Sequence, residues 1–185
     1  MGPGSYKGDA YIEGTSHNLW YASMLIGRSI VGIRSGDIVR LARLLKNNSE
    51  IAEIYGIARN EMTPVMLHAA AFDESITRIA LLETYVSYQS IAMNRFYDSK
   101  FVYSIVPGAL TAYDLPDLAA CLAPRKLLIA GVTDGNGKSL DPEILGKDLD
   151  FIKISYQIKN ANGQLNIVCM KPYEKFDSYF MEWIK

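Results

Sequence analysis

The most constraining feature of the sequence is a short run at residues 126–132, apolar at every position after Lys126, that ends in the turn cluster Thr133-Asp134-Gly135-Asn136-Gly137. A strand without alternating polar residues is typical of a parallel sheet buried under helices on both faces. Similar short runs occur at residues 51–58, 76–82 and 164–170, and helical patterns separate them. The repeated strand–helix order predicts an α/β fold, with a parallel sheet of about four strands and helices on both faces.

The helical segments follow from apolar spacing and from breakers. Glycines at 27, 32 and 36 predict two pieces, at about 17–27 and 35–47, rather than one long helix. Thr63 suits the cap and Pro64 the first position of a third helix, which ends near residue 72. Two more helices are expected at about 141–159 and 175–185; the last one carries aromatic residues on one face. Residues 1–16 are expected to be a tag or irregular, and residues 17–185 to form one domain.

Composition excludes several classes of function. The chain has 185 residues, of which 49% are hydrophobic and 21% charged, which is typical of a globular domain. A net charge of −1 gives no reason to expect nucleic acid or an acidic membrane as a partner. No apolar run approaches the ~20 residues of a spanning helix. Cys121 and Cys169 are expected to be buried, and without nearby metal-ligand spacing we predict no metal site and no cofactor. The compartment cannot be read from the sequence.

Three stretches carry a resemblance to a known family. They are residues 54–61 running into 64–73, residues 112–120 followed by 123–125, and the strand that ends in Asp134-Gly135-Asn136-Gly137. Together they resemble the C-terminal half of α/β-hydrolase proteins of the acetyl-xylan-esterase-like group. The resemblance implies that the four strands correspond to the last four of an eight-stranded sheet, so the expected fold is a partial one.

The resemblance also implies positions for a Ser-His-acid triad, and these are incompletely filled. The serine of the G-x-S-x-G turn corresponds to Ala58, between Gly56 and Asn60, so the nucleophile position is vacant. Asp134 lies where the family has its acid, although Asp-Gly is also a strong turn former. The segment 169–175 has no histidine where the family has its base. Elsewhere the chain has only His17 and His68, and His68 is expected in the core.

Two residues are candidate substrate contacts. Arg59 in the turn and Ser87 after the second strand are candidates because open α/β sheets bind ligands at the carboxyl ends of their strands. Tyr173 or Glu174 could replace the missing base. Twelve tyrosines leave open a carbohydrate ligand, since aromatic faces suit sugar rings.

A half-sheet leaves one edge strand, residues 51–57, without a neighbour on one side. An exposed apolar edge favours association, so we expect either a homodimer or contact with the rest of a longer polypeptide there.

Three functions stay open. The chain can be a catalytically incomplete domain with a structural or ligand-binding role, an active carbohydrate ester hydrolase completed by other chain segments, or an assembly module without a ligand.

Overall fold

The computed structural model describes residues 11–12, 15–139, 146–169 and 176–184. The strands are β1 (Tyr11–Ile12), β2 (Thr15–Ser16), β3 (Tyr55–Arg59), β4 (Arg78–Leu82), β5 (Lys126–Ala130) and β6 (Leu165–Val168). The α-helices are α1 (His17–Leu25), α2 (Ile30–Lys46), α3 (Thr63–Phe72), α4 (Tyr88–Ala92), α5 (Leu115–Cys121), α6 (Gly146–Ile158) and α7 (Asp177–Ile184). Short 3-10 helices lie at 60–62, 99–104, 109–111 and 162–164.

The central sheet confirms the predicted fold class. Its four strands lie in the order β3-β4-β5-β6, and every neighbouring pair is parallel. β4 and β5 are buried over four of their five residues, as expected for strands covered on both sides. The strands are shorter than the apolar runs that predicted them; the first begins at Tyr55 rather than at residue 51.

Each face of the sheet has its own core. On one face Ile79, Leu81, Leu127 and Ile129 pack with α3, α5 and α6 in a large cluster of buried residues. On the other face, which we call the α7 face, Ala80, Leu82, Leu128 and Ala130 pack against Trp183. The partly buried members of this second cluster include Phe176, Tyr179 and Phe180, so the aromatic face predicted for the closing helix is confirmed.

Helix α2 differs from the prediction because it continues through its glycines. It begins at Ile30, not at residue 35, since the Ser29 side chain accepts a hydrogen bond from the Gly32 N–H at 2.9 Å and caps the helix. A glycine lowers helix propensity by only about 1 kcal/mol relative to alanine, and the cap and buried apolar contacts offset this cost.

Three smaller expectations also need correction. Thr63 is the first residue of α3 rather than its cap, and the cap position belongs to Met62. Cys121 and Cys169 are both exposed, since their apolar neighbours supply the burial that we expected of the thiols. β1 and β2, within the segment expected to be irregular, pair with each other antiparallel. The predicted start of α6 at residues 141–145 and the proposed tag at residues 1–10 lie outside the described residues.

Candidate functional site

The candidate site lies at the carboxyl edge of the sheet, where β3 bends into α3. The backbone of Asn60 has a φ of 53°, in the left-handed region, immediately after the last residue of β3. Asparagine adopts this region more readily than most residues. The bend therefore resembles the sharp strand-to-helix turn on which hydrolases carry their nucleophile, with an amide at its tip.

This geometry moves the bend two residues along from the predicted position. Ala58, which we assigned as the vacant nucleophile position, lies inside β3, where it pairs with Leu81 and is only 8% exposed. Gly56, the first glycine position that the resemblance implies, is a buried strand residue. Neither Ala58 nor Asn60 carries a hydroxyl.

Two threonine hydroxyls meet behind the bend. The side chain of Thr63 donates a hydrogen bond to the Asn60 carbonyl at 2.7 Å, and its oxygen lies 2.8 Å from the Thr84 hydroxyl. The Thr84 hydroxyl has one proton, which it directs either to the Thr63 oxygen or to the carbonyl of Tyr85 at 3.1 Å. Both threonines are buried, at 0% and 7% exposure, so they fix the turn and do not face a substrate.

Arg59 forms an ion pair across the edge. Its Nε and Nη2 donate to the two carboxylate oxygens of Glu83 at 2.5 and 2.8 Å. Glu83 follows β4 and also has a left-handed backbone, with φ of 49°. The paired carboxylate raises the pKa of Arg59 further above its usual value, mainly through the hydrogen bond. Arg59 remains a predicted substrate contact, and such a substrate has to compete with Glu83 for the guanidinium.

Asp134 shapes its own loop. Its Oδ1 accepts hydrogen bonds from the N–H groups of Asn136 at 2.8 Å and Lys138 at 2.9 Å. Its backbone N–H donates to the Lys138 carbonyl at 2.9 Å, which closes the loop. This is the turn role that the sequence also allowed, while the role of triad acid stays a prediction.

Ser87 lies in the interior and not on a cleft wall. It is 2% exposed, and its hydroxyl accepts a hydrogen bond from the Ser90 N–H at 3.1 Å, which caps α4. A side-chain hydrogen bond also joins Ser87 to Asp148, whose pKa is raised chiefly by burial. The substrate contact at Ser87 stays a prediction, and its capping role keeps the hydroxyl inside the protein.

His68 lies in the core and offers no base at this edge. His68 is 4% exposed on α3; its Nδ1 lies 2.6 Å from the Pro64 carbonyl and its Nε2 2.9 Å from the Tyr113 hydroxyl. A carbonyl only accepts, so Nδ1 carries the proton and Nε2 accepts from Tyr113. Burial lowers the pKa of His68, which keeps the ring neutral. His68 is the core residue that the sequence predicted.

The remaining candidate residues lie at or beyond the limits of the described part of the chain. Tyr173 and Glu174, the suggested substitute bases, lie outside the described residues. His17 is the first residue of α1.

Among the described residues no group of three or more acidic, histidine or cysteine side chains is arranged to hold a metal ion. No helix in the described part of the chain is long and apolar enough to cross a membrane.

The sequence pattern did not identify Glu83 or Thr84 as residues of this edge. Asn60 and Glu83 both adopt positive φ directly after a strand, and the two threonines link the strand ends behind them. An asparagine between a β run and a Thr-Pro helix start was the available signal for the bend. Glu83 gave no signal, because glutamate has no preference for this backbone conformation.

Comparison with solved structures agrees with this architecture. The chain is similar to the crystal structure of a putative acetyl xylan esterase from Bacteroides fragilis, with a TM-score of 0.59 and 18% sequence identity. The match covers 86% of this chain but 41% of that one, so this chain spans less than half of the similar protein. No family model and no curated protein matches the sequence. The similarity defines an esterase-like α/β fold.

Proposed function

We propose that this chain is a catalytically incomplete α/β-hydrolase-like unit of an acetyl-xylan-esterase-like protein, with a structural or ligand-binding role. The observation that carries the proposal is the bend after β3, where Asn60 supplies a carboxamide at the position where a hydrolase needs a nucleophilic hydroxyl. A carboxamide nitrogen is delocalised into its carbonyl and is a poor nucleophile, so acyl transfer has no starting group at this position.

The surrounding groups support the same conclusion. The nearby hydroxyls of Thr63 and Thr84 are buried, and they lie within hydrogen-bond distance of each other and of backbone carbonyls. The only histidine with a described side chain, His68, is neutral and donates its proton to a main-chain carbonyl. Where the described residues supply neither a base near pH 7 nor a free hydroxyl at the bend, the steps of acyl transfer lose their proton acceptor and their attacking atom together.

An ester-hydrolysis assay tests this proposal. The purified chain is assayed with an aryl acetate and with acetylated xylan, beside Asp134→Asn as a matched variant that keeps an acceptor oxygen for the loop. We expect both proteins to release acetate at the same rate as buffer. Turnover by the wild-type chain that Asp134→Asn abolishes would identify an active hydrolase and overturn the proposal.

A binding measurement separates the two remaining roles. The bend and the Arg59–Glu83 pair present polar groups at the carboxyl edge, where open α/β sheets take ligands. Calorimetric titration with xylo-oligosaccharides, acetylated and not, uses Arg59→Met as the comparison. A binding heat that the wild type shows and Arg59→Met lacks supports the ligand-binding role. If neither protein releases or takes up heat, the structural role is supported.

A further inference from the structure

We propose that two copies of this chain associate edge to edge through β3, antiparallel and centred on Ile57, to form one continuous eight-stranded sheet. The proposal starts from the position of β3 at the end of the sheet. β3 pairs only with β4, and no other strand in the described residues pairs with its outer side. β1 and β2 belong to a separate two-stranded sheet.

The hydrogen-bonding direction of each β3 residue follows from its neighbours. The Glu83 N–H donates to Ala130 in β5, so the alternate residues Leu82 and Ala80 direct their backbone groups toward β3. Ile57 is in register with Ala80, which assigns the partner groups in β3 to Gly56 and Ala58. The backbone N–H and C=O groups of Tyr55, Ile57 and Arg59 therefore point away from the sheet.

The same three residues are the exposed ones. The burial pattern of β3 alternates, with Gly56 and Ala58 buried and the side chains of Tyr55, Ile57 and Arg59 on the α7 face. Tyr55 is 37% exposed and Ile57 43% exposed, although Ala80 and Leu128, which are in register with Ile57, are buried on the α7 face. Within the described part of the chain, the outer side of β3 thus has backbone groups without a strand partner and the exposed apolar side chain of Ile57.

The β3 strand of a second copy, running antiparallel, can pair with this outer side. Pairing centred on Ile57 places Ile57 opposite Ile57, and Tyr55 opposite Arg59 of the other copy, as hydrogen-bonded pairs on the same face. Arg59, which stays paired with Glu83, then lies opposite Tyr55 of the other copy and diagonal to its Glu53, which already accepts from Arg78, so acidic and basic groups of the two copies alternate across the two-fold axis. A parallel arrangement would instead align like residues with like.

Light scattering after size exclusion, at about 100 µM protein, tests the association. We expect the wild type to elute at twice the 20.6 kDa of one chain. Ile57→Lys brings two ammonium groups together at the axis, so we expect the monomer. The matched control is Ile154→Lys in α6, where the replaced side chain is also about half exposed, at 52%, and the dimer should persist. A monomeric wild type, or loss of the dimer in the control alone, would overturn the proposal.

Amide hydrogen exchange of the wild-type chain keeps the proposal testable even if Ile57→Lys does not fold. The inward N–H groups of Gly56 and Ala58 should be protected at every protein concentration. Those of Ile57 and Arg59 should gain at least tenfold protection between about 1 and 300 µM. Protection of the outward amides that does not change with concentration would count against a second copy as the occupant of this edge.

Discussion

Arg125 connects three parts of the fold that the sequence alone keeps apart, and its removal is the perturbation with the most predictable cost. Its Nη1 donates to the carbonyls of Asp73 at 3.1 Å and Ile76 at 3.0 Å, and its Nη2 donates to the carbonyl of Ala70 at 2.5 Å. These carbonyls belong to the last turn of α3 and to the segment that leads into β4. Arg125→Met keeps much of the side-chain volume and removes all three donors.

The magnitude follows from the number of bonds and their environment. A hydrogen bond from a charged donor contributes about 1.5–3 kcal/mol, and a carbonyl left buried without a partner costs a similar amount. The Arg125 side chain is partly exposed, so water replaces part of the loss, and we take the lower end for each bond. Three bonds at the lower end give about 4–5 kcal/mol, so we expect Arg125→Met to lower the free energy of unfolding by that amount, or the melting temperature by about 10–15 °C for a chain of this size.

Urea unfolding followed by circular dichroism measures this loss. The control is Arg40→Met, because Arg40 is exposed and pairs only with Asp37 in the same helix, which is worth less than about 0.5 kcal/mol. Arg125→Lys retains the charge but not the planar fork, so it should recover less than half of the loss. A loss below about 1 kcal/mol for Arg125→Met, no larger than that of Arg40→Met, would refute the reasoning.

Three further predictions concern single groups. The pKa of Asp73 is lowered from 3.8 to about 2, first by hydrogen bonds from Ser75 and then by Arg43, so Asp73 stabilises the fold above pH 4. That stabilisation should disappear as the pH falls from 4 to 2 in acid unfolding, with a smaller loss in Asp73→Asn. Burial lowers the pKa of His68, so its NMR titration midpoint should lie below 6.5, and stability should decrease as the pH falls below 6.5, where the unfolded chain takes up the proton. A Cβ on Gly135 would lie 2.3 Å from the main-chain oxygen of Ser90, so Gly135→Ala should cost more than about 2 kcal/mol in thermal unfolding, and a neutral result would contradict the close packing of this loop.

The sequence predicted the sheet well because burial on both faces leaves a clear pattern. The run that forms β5 is apolar after Lys126, and this pattern alone indicates a buried strand. The aromatic spacing of α7 likewise indicates the side chains that cover the opposite face of the sheet. Element ends were less predictable. The limits of β3 depend on which backbone groups find partners in β4, and apolar composition does not encode that choice. The two-residue displacement of the bend, from Ala58 to Asn60, has this origin.

The candidate site was less predictable than the fold, for a physical reason. Asp134 and Ser87 were chosen by their position after strands, but both side chains form local hydrogen bonds to nearby main-chain N–H groups. Short polar side chains commonly make such bonds, and they compete with any role toward a ligand. The ion pair between Arg59 and Glu83 depends on two strands lying side by side, so it became visible only with the register of the sheet.

The two edges of the sheet differ in how many of their polar groups are already bonded, and this difference favours association over catalysis. At the carboxyl edge, Arg59, Thr63 and Asp134 all have internal partners that a ligand would have to replace. Exchanging one set of hydrogen bonds for another yields little net free energy. Along the outer side of β3, a second strand replaces only water and also covers the apolar surface of Ile57. This difference supports the proposed association through β3 over ligand capture above the strands.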